Sequence, residues 1–172
     1  EPVCIEDEIP FEIPEGWEWA RLESVIVLLS GTDLNSSQYN DRHEGIPYLT
    51  GASNFTDGKL IENRWTAEPS RVSTKGELLF TCKGTVGEMA INRFGAAHIA
   101  RQIMSITPNE YRMLPYISLF LNAMVEDIKS HAKGVIPGIE RNTLLARLIP
   151  VPPLAEESRI AEKYSELLNI IF

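Results

Sequence analysis

Cysteine is scarce: Cys4 and Cys82 are the only two in 172 residues. That is too few for a disulfide framework, and Cys82, at the end of an apolar run, reads as a reduced thiol in or near the core. Long apolar runs are missing too. None approaches the roughly 18 residues that a membrane-spanning helix needs. The acidic N-terminus is the opposite of a secretory signal's basic start, so a cytoplasmic home is the default expectation. The chain begins with Glu rather than Met, as a fragment of something longer would.

The signatures of chemistry are absent as well. No G-x-x-x-x-G-K-[ST] occurs; in "TCKGTVGE" (81–88) the lysine precedes the glycines, the wrong order for a phosphate-cradling loop. No strand leads into G-x-G-x-x-G, and neither C-x-x-C nor H-E-x-x-H is present. His43, His98 and His131 are scattered, with no second ligand at metal-site spacing. "IPVPPL" lacks the leading Asn or Asp, and the aromatic clamp, of the N-P-P-Y found in amino-methyltransferases. Glu126 and Asp127 lie off the apolar stripe of a helix, as a solvated face does. Catalysis has no visible owner, and no cofactor or metal is expected.

The net charge of −8 argues against nucleic acid only if taken whole. Residues 1–18 hold seven acids and no base, and residues 155–172 hold four acids and two bases. The middle, 19–154, is left with 13 acids and 14 bases. A near-neutral middle permits a basic face, because fields depend on where charge is placed.

Along the chain, residues 1–16 carry three prolines and no periodic face, the pattern of an extended linker. Trp17 and Trp19 alternate in strand fashion, and a short apolar element ends at Gly31. Residues 32–45 are polar and patternless, a long surface loop of the kind that often carries function. "IPYLTGASNF" predicts a strand, with a turn after it at "TDGK". "LLFTC" and "MAINRF" predict two strands joined by the tip 81–88, and "HIARQIMSITP" another β-type run. In 113–132, Leu114, Ile117, Leu121, Met124, Val125, Ile128 and Ala132 follow a 3-4-3-1-3-4 spacing, which predicts one amphipathic helix. "KGVIPG" breaks it; a short helix and a proline-bounded strand follow. The last segment is helical, with Ile160, Tyr164, Leu167, Leu168 and Ile171 on one stripe that calls for a partner helix. It looks cut at the chain end.

What remains for function is a set of loops with polar and basic tips: Thr50–Phe55, Thr81–Glu88, Arg101–Gln102 and 133–142. Lys and Arg neutralise phosphate, while Asn, Gln, Ser and Thr reach base edges. Each loop is equally well read as ordinary turn chemistry.

Several stretches, in order, resemble the specificity subunit of type I restriction–modification enzymes. These are "DEIPFEIPEGWEWARL", "GIPYLTGASNF…GKL", "KGELLFTCKGTVGEMAI" followed by "RQIMSITP", and "IPVPPLAEESRIAEKYSELL". The family usually has Gln where this chain has Glu157. The resemblance implies an α+β fold: a lead (1–16), a twisted-sheet target-recognition domain (17–152) and the start of a spacer helix that is cut short (153–172). It implies that a full subunit carries two such domains, each reading half of a split site in double-stranded DNA. The spacer helices would form an antiparallel coiled coil that docks methyltransferase subunits and, through them, the restriction subunit. Methylation and cleavage would belong to those partners, and this chain would need a second recognition domain in its own or another chain. On this reading Lys83, Lys133 and Arg141 contact phosphate or guanine. Thr50, Ser53, Asn54, Thr85, Gln102 and Asn142 position the duplex or read bases, with Arg101 beside them. Ile160, Tyr164, Leu167, Leu168 and Ile171 pack the partner helix. One alternative is a protein-interaction module using its acidic lead and C-terminal stripe without DNA contact. Another is a hydrolase built on Asp33, Asp41 or His43.

Overall fold

Trp19 falls within β1 (Glu18–Arg21), as its alternation with Trp17 predicts. A computed structural model describes the backbone of residues 4–130 and 138–171, with side chains through 129 and over 138–167. The apolar element after β1 divides into a single turn, α1 (Leu22–Val25), and β2 (Ile26–Ser30). After the long loop come β3 (Ile46–Leu49), β4 (Phe55–Thr56), β5 (Lys59–Leu60), β6 (Trp65–Thr66) and β7 (Val72–Thr74). Then follow β8 (Leu78–Thr81), β9 (Met89–Ile91), β10 (Ala96–Ile99) and β11 (Ile103–Pro108). The last third holds α2 (Leu114–Ala123), α3 (Val125–Ser130), α4 (Arg141–Leu145), β12 (Leu148–Val151) and α5 (Leu154–Ile171).

Two four-stranded sheets stack. One runs β2-β11-β8-β9 and is antiparallel throughout. The other runs β6-β3-β10-β7, with β3 and β10 parallel. β8 is buried at all four positions because its sheet is covered on both sides. Leu78 and Phe80 join a core with Ile117 and Leu121 of α2, Leu144 of α4 and Ile149 of β12. Leu79, between them, faces Leu49, Ile99 and Ile103 in a second core. Successive strand residues point to opposite faces, so a strand covered on both sides is a continuous apolar run. The fold is α+β, as the resemblance implies.

Three expectations are modified. "HIARQIMSITP" is two strands with a turn at Ala100–Gln102, not one run. The helix expected over 113–132 breaks at Met124 into α2 and α3. The lead from Cys4 to Gly16 is tied to the domain. Glu8 pairs with Arg21 at 2.5 Å, and Trp19 Nε1 donates to the Phe11 carbonyl at 3.2 Å. The turn at "TDGK" is the tight β4–β5 hairpin, with φ of 48° at Asp57 and 69° at Gly58. Two left-handed residues match the twist of the paired strands, and Asp-Gly tolerates them.

β1 and β12 pair antiparallel, Glu18 opposite Val151 and Arg21 opposite Leu148. This joins the start of the sheeted region to the strand that leads into α5. α5 then packs on α2, and Glu157 in its first turns is 2% exposed. One carboxylate oxygen of Glu157 has no hydrogen-bond partner among the described residues. Burial, and then the charge of Glu110, push its carboxyl above the usual range. Burial and the charge of Glu157 lift the Tyr116 hydroxyl, which donates to the Pro150 carbonyl at 2.5 Å, to about 12.

A carboxyl whose pKa is raised by folding supports the fold fully below its unfolded value, here 4.5, and loses that support as pH rises through the folded value. Glu157→Gln therefore stabilises the chain at pH 7 by roughly 1–2 kcal/mol, the scale of a buried unpaired polar group. Thermal melts from pH 4 to 8 check this. The gap between variant and wild type should be smallest near pH 4 and widen upward; a gap that does not change with pH counts against the raised carboxyl.

Candidate functional site

Four stretches far apart in sequence meet around a pocket of about 690 Å³. They are the end of β2 (Ser30, Gly31), the β8–β9 tip (Cys82–Gly84), the β10–β11 turn (Arg101, Gln102) and the run into α4 (Gly138–Arg141). Cys82 staples three of them through its backbone. Its N–H donates to the Gln102 carbonyl at 2.8 Å, and its carbonyl accepts from Ile139 N–H at 2.8 Å. Its thiol, pushed up to about 11 by burial, stays protonated and points at the Arg101 carbonyl, 3.5 Å away.

The base of the β8–β9 tip is closed by its own chain. Gly87 N–H donates to the Thr81 carbonyl at 2.9 Å, and Glu88 N–H to Thr81 Oγ1 at 2.9 Å. Lys83, Gly84 and Thr85 project into solvent while Val86 is buried beneath them. Gly84 carries a φ of +74°, which a glycine adopts without strain, and among the described residues nothing lies within 4 Å of where a Cβ would stand. The Lys83 stem lies along Gly138, where even a Cβ would approach its Cγ to 3.2 Å.

The two arginines of the pocket are held differently. Arg141 opens α4 and donates Nη1–H to the Leu28 carbonyl of β2. Arg101 is gripped by Asp33, whose Oδ1 accepts the backbone N–H at 3.1 Å and whose Oδ2 lies 2.8 Å from Nε. Among the described residues, the lining carries Lys83, Arg101 and Arg141 against one carboxylate, Glu140. The lining is therefore cationic within a chain of net charge −8. Low-dielectric walls would focus that field on an anionic partner.

Four expected contact residues, Lys83, Arg101, Gln102 and Arg141, thus share one concave face. Thr85 and Asn142 are exposed beside it, on the tip and in the first turn of α4, and do not line the pocket. The loop after β3 adjoins it through Gln102, whose Oε1 would lie 2.2 Å from a Cβ at Gly51. In that loop Ser53 is exposed and Thr50 half-buried.

Asn54 differs from expectation, because it is wholly buried. Its Oδ1 accepts from Thr50 N–H at 2.8 Å and lies 3.2 Å from Thr50 Oγ1. Its Nδ2–H donates to the Ile61 carbonyl at 2.8 Å. A committed amide of this kind shapes the loop from within and presents nothing outward. Lys133 lies outside the described residues. On α5, Ile160 packs against the chain's own core, whereas Tyr164 and Leu167 are 37% and 47% exposed. The side chains of Leu168 and Ile171 lie outside the described residues.

Two of the residues offered for a hydrolase, Asp33 and His43, have separate engagements. Asp33 holds Arg101, and the His43 ring stacks on Trp65 with centroids 3.7 Å apart. His98 is buried and uses both nitrogens. Nδ1 accepts from Ser70 and Arg71 N–H at 3.2 and 3.3 Å, so Nε2 carries the proton and donates to the Thr32 carbonyl at 2.9 Å. Burial holds its pKa below the ordinary histidine value. Among the described residues no three His, Cys, Asp or Glu side chains are grouped to hold a metal, and no helix is long and apolar enough to cross a membrane. Asp33 was legible in sequence only as a carboxylate in a long loop. Its bond to Arg101 spans 68 positions.

Residues 14–171 match the family described as type I restriction modification DNA specificity domain. The chain is 28% identical over 166 residues to a protein of Methanocaldococcus jannaschii named for the MjaX specificity subunit of a type I restriction enzyme. It is 25% identical over 182 residues to the EcoEI specificity subunit of a type I restriction enzyme of Escherichia coli. These matches take in 93% and 95% of this chain but 38% and 30% of the relatives, so the chain spans about a third of their length. Among solved structures, the HsdS subunit of Thermoanaerobacter tengcongensis superposes with a TM-score of 0.82 at 25% identity, over 94% of this chain and 40% of that one. A chain solved in work on complex assembly and conformational transition of the type I R-M system gives 0.83 at 26% identity, with the same coverage.

Proposed function

The chain belongs to the type I restriction–modification DNA specificity domain family, and from that premise we propose that it reads one half of a split site in double-stranded DNA and performs no chemistry itself. The observation that carries this reading is the convergence of Lys83, Arg101, Gln102 and Arg141 on one cationic concave face. These are the residue types that hold phosphate and reach base edges, and they come from three segments far apart in sequence: the β8–β9 tip, the β10–β11 turn and the start of α4. In this reading residues 17–152 form the recognition domain, and Lys83 and Arg141 anchor the DNA backbone. α5 starts the spacer, and its exposed Tyr164 and Leu167 meet a second helix. Through that coiled coil the subunit docks the methyltransferase subunits, which carry methylation, and the restriction subunit bound to them.

Salt-titrated binding of duplex DNA by the specificity subunit, assembled with its methyltransferase partners, tests the placement. Each lost phosphate contact should reduce the slope of log K against log salt by about 0.9. Lys83→Ala and Arg141→Ala are each expected to do so, with affinity falling most at low salt. Melting curves should accompany Arg141→Ala, because that side chain also ties α4 to β2. If neither variant changes affinity or slope, the DNA face lies elsewhere on the chain.

A further inference from the structure

We propose that Arg101 reads a guanine, and that Asp33 is the positioning residue that holds it ready to do so; the proposal rests on the DNA-reading function above. The backbone around Arg101 is fixed on every side. Ala100 N–H donates to the Leu49 carbonyl at 2.9 Å, Ile103 N–H to the Ala100 carbonyl at 2.9 Å, and Cys82 N–H to the Gln102 carbonyl at 2.8 Å. Asp33 then takes the Arg101 backbone N–H with one oxygen and Nε with the other. The guanidinium is left with one edge occupied and its terminal Nη1 and Nη2 without another partner among the described residues. It stands 67% exposed at the rim of the pocket.

A guanidinium held at Nε presents two parallel N–H donors end-on. That fork matches the paired acceptors O6 and N7 which guanine displays in the major groove, and no other base shows two acceptors there. The other cations of the pocket lack it. Lys83 offers a point charge on a flexible stem, and Arg141 has given Nη1 to the Leu28 carbonyl. An exposed ion pair adds little to stability, so the grip of Asp33 on Arg101 has its effect in orientation. The turn, the carboxylate and the fork together are a preorganised reading head.

The experiment is selection of bound sequences from randomised duplexes, using the specificity subunit assembled with its methyltransferase partners. Wild type is compared with Arg101→Ala, Arg101→Lys, Asp33→Asn and Lys83→Ala. Arg101→Ala should relax the preference at a single G·C position by roughly 5- to 150-fold, leaving the other positions and the salt slope intact. Arg101→Lys should not restore it, because an ammonium has no fork. Asp33→Asn should weaken discrimination at that same position by a smaller factor, and should add nothing in the Arg101→Ala background. Lys83→Ala should lower affinity for all sequences alike. A uniform loss of affinity with a shallower salt slope in Arg101→Ala would make Arg101 a phosphate contact and overturn the proposal while leaving the DNA-reading function standing. An Asp33→Asn protein that melts lower but keeps its base profile would also overturn the role of Asp33. If none of the variants affects DNA binding, the proposal falls and the DNA face lies elsewhere on the chain; if the wild-type assembly itself selects no preferred sequence, the DNA-reading function falls.

Discussion

Gly31→Ala is expected to destabilise the chain by about 3 kcal/mol or more, the upper end of overpacking, and, on the proposed function, to abolish DNA binding with it. A Cβ at this position would sit 2.2 Å from the Ala100 carbonyl oxygen, 2.5 Å from that of Ile99 and 2.7 Å from the Ala100 carbonyl carbon. These are backbone atoms, so no rotamer change relieves the overlap. The strands are pinched together here: Gly31 N–H donates to Ile103 at 3.1 Å, and Thr32 N–H to Ile99 at 3.0 Å. Making room for a methyl group must push away the turn that carries Arg101 and Gln102. Gly84→Ala is the control. Its position has nothing within 4 Å among the described residues, only a left-handed φ of +74°, which costs an L-residue about 1–2 kcal/mol. Urea melts of the two variants should separate clearly, Gly31→Ala far below Gly84→Ala. Equal midpoints would mean that the pinch is looser than the geometry states.

Asn54→Ala should come next, with a loss of about 2–4 kcal/mol, more than one buried hydrogen bond is worth. The substitution strands Thr50 N–H, the weaker 3.4 Å donor Gly51 N–H and the Ile61 carbonyl together. Asn54→Asp is no rescue, since it keeps the acceptor but loses the donor to Ile61 and buries a charge. The measurement that matters is stability beside base preference. A residue bracing the loop lowers the melting temperature and leaves the ranking of bound sequences alone. Asn54→Ala protein with native stability and altered base preference would restore Asn54 as a reader.

Asn54 also shows where sequence reasoning stops. A polar residue in a polar loop carries no mark of whether its amide turns in or out; that depends on the Ile61 carbonyl seven positions on. Strands were legible where burial imposed a pattern. β8 and β9 stood out because a strand covered on both faces must be apolar throughout. The turn at Ala100–Gln102 was not legible, since it has no Gly, Pro or Asn to announce it. Asp33 and Cys82, both distant in sequence, hold it in place. The break at Met124 was hidden for a related reason: the apolar positions 121, 124, 125 and 128 run straight across it. The charges of the pocket were visible one by one, and their gathering was not. It follows from three-dimensional wiring such as the Arg141 bond to Leu28, across 113 residues. The family resemblance supplied an ordered scaffold for those loops, and the geometry then separated side chains that face outward from one that does not.

The antiparallel pairing of β1 with β12 has a consequence for how such a chain changes over generations. With Glu18 beside Val151, the polypeptide arrives at the domain and departs from it at one spot, like a loop drawn through a buckle. Protein segments with adjoining ends are readily transplanted, because the host chain need not move to receive them. A different set of loops, carried on the same buckle, could replace this one by recombination while α5 keeps its geometry. On the proposed function, target preference would then change by exchange of whole cassettes rather than by point substitution within a fixed pocket.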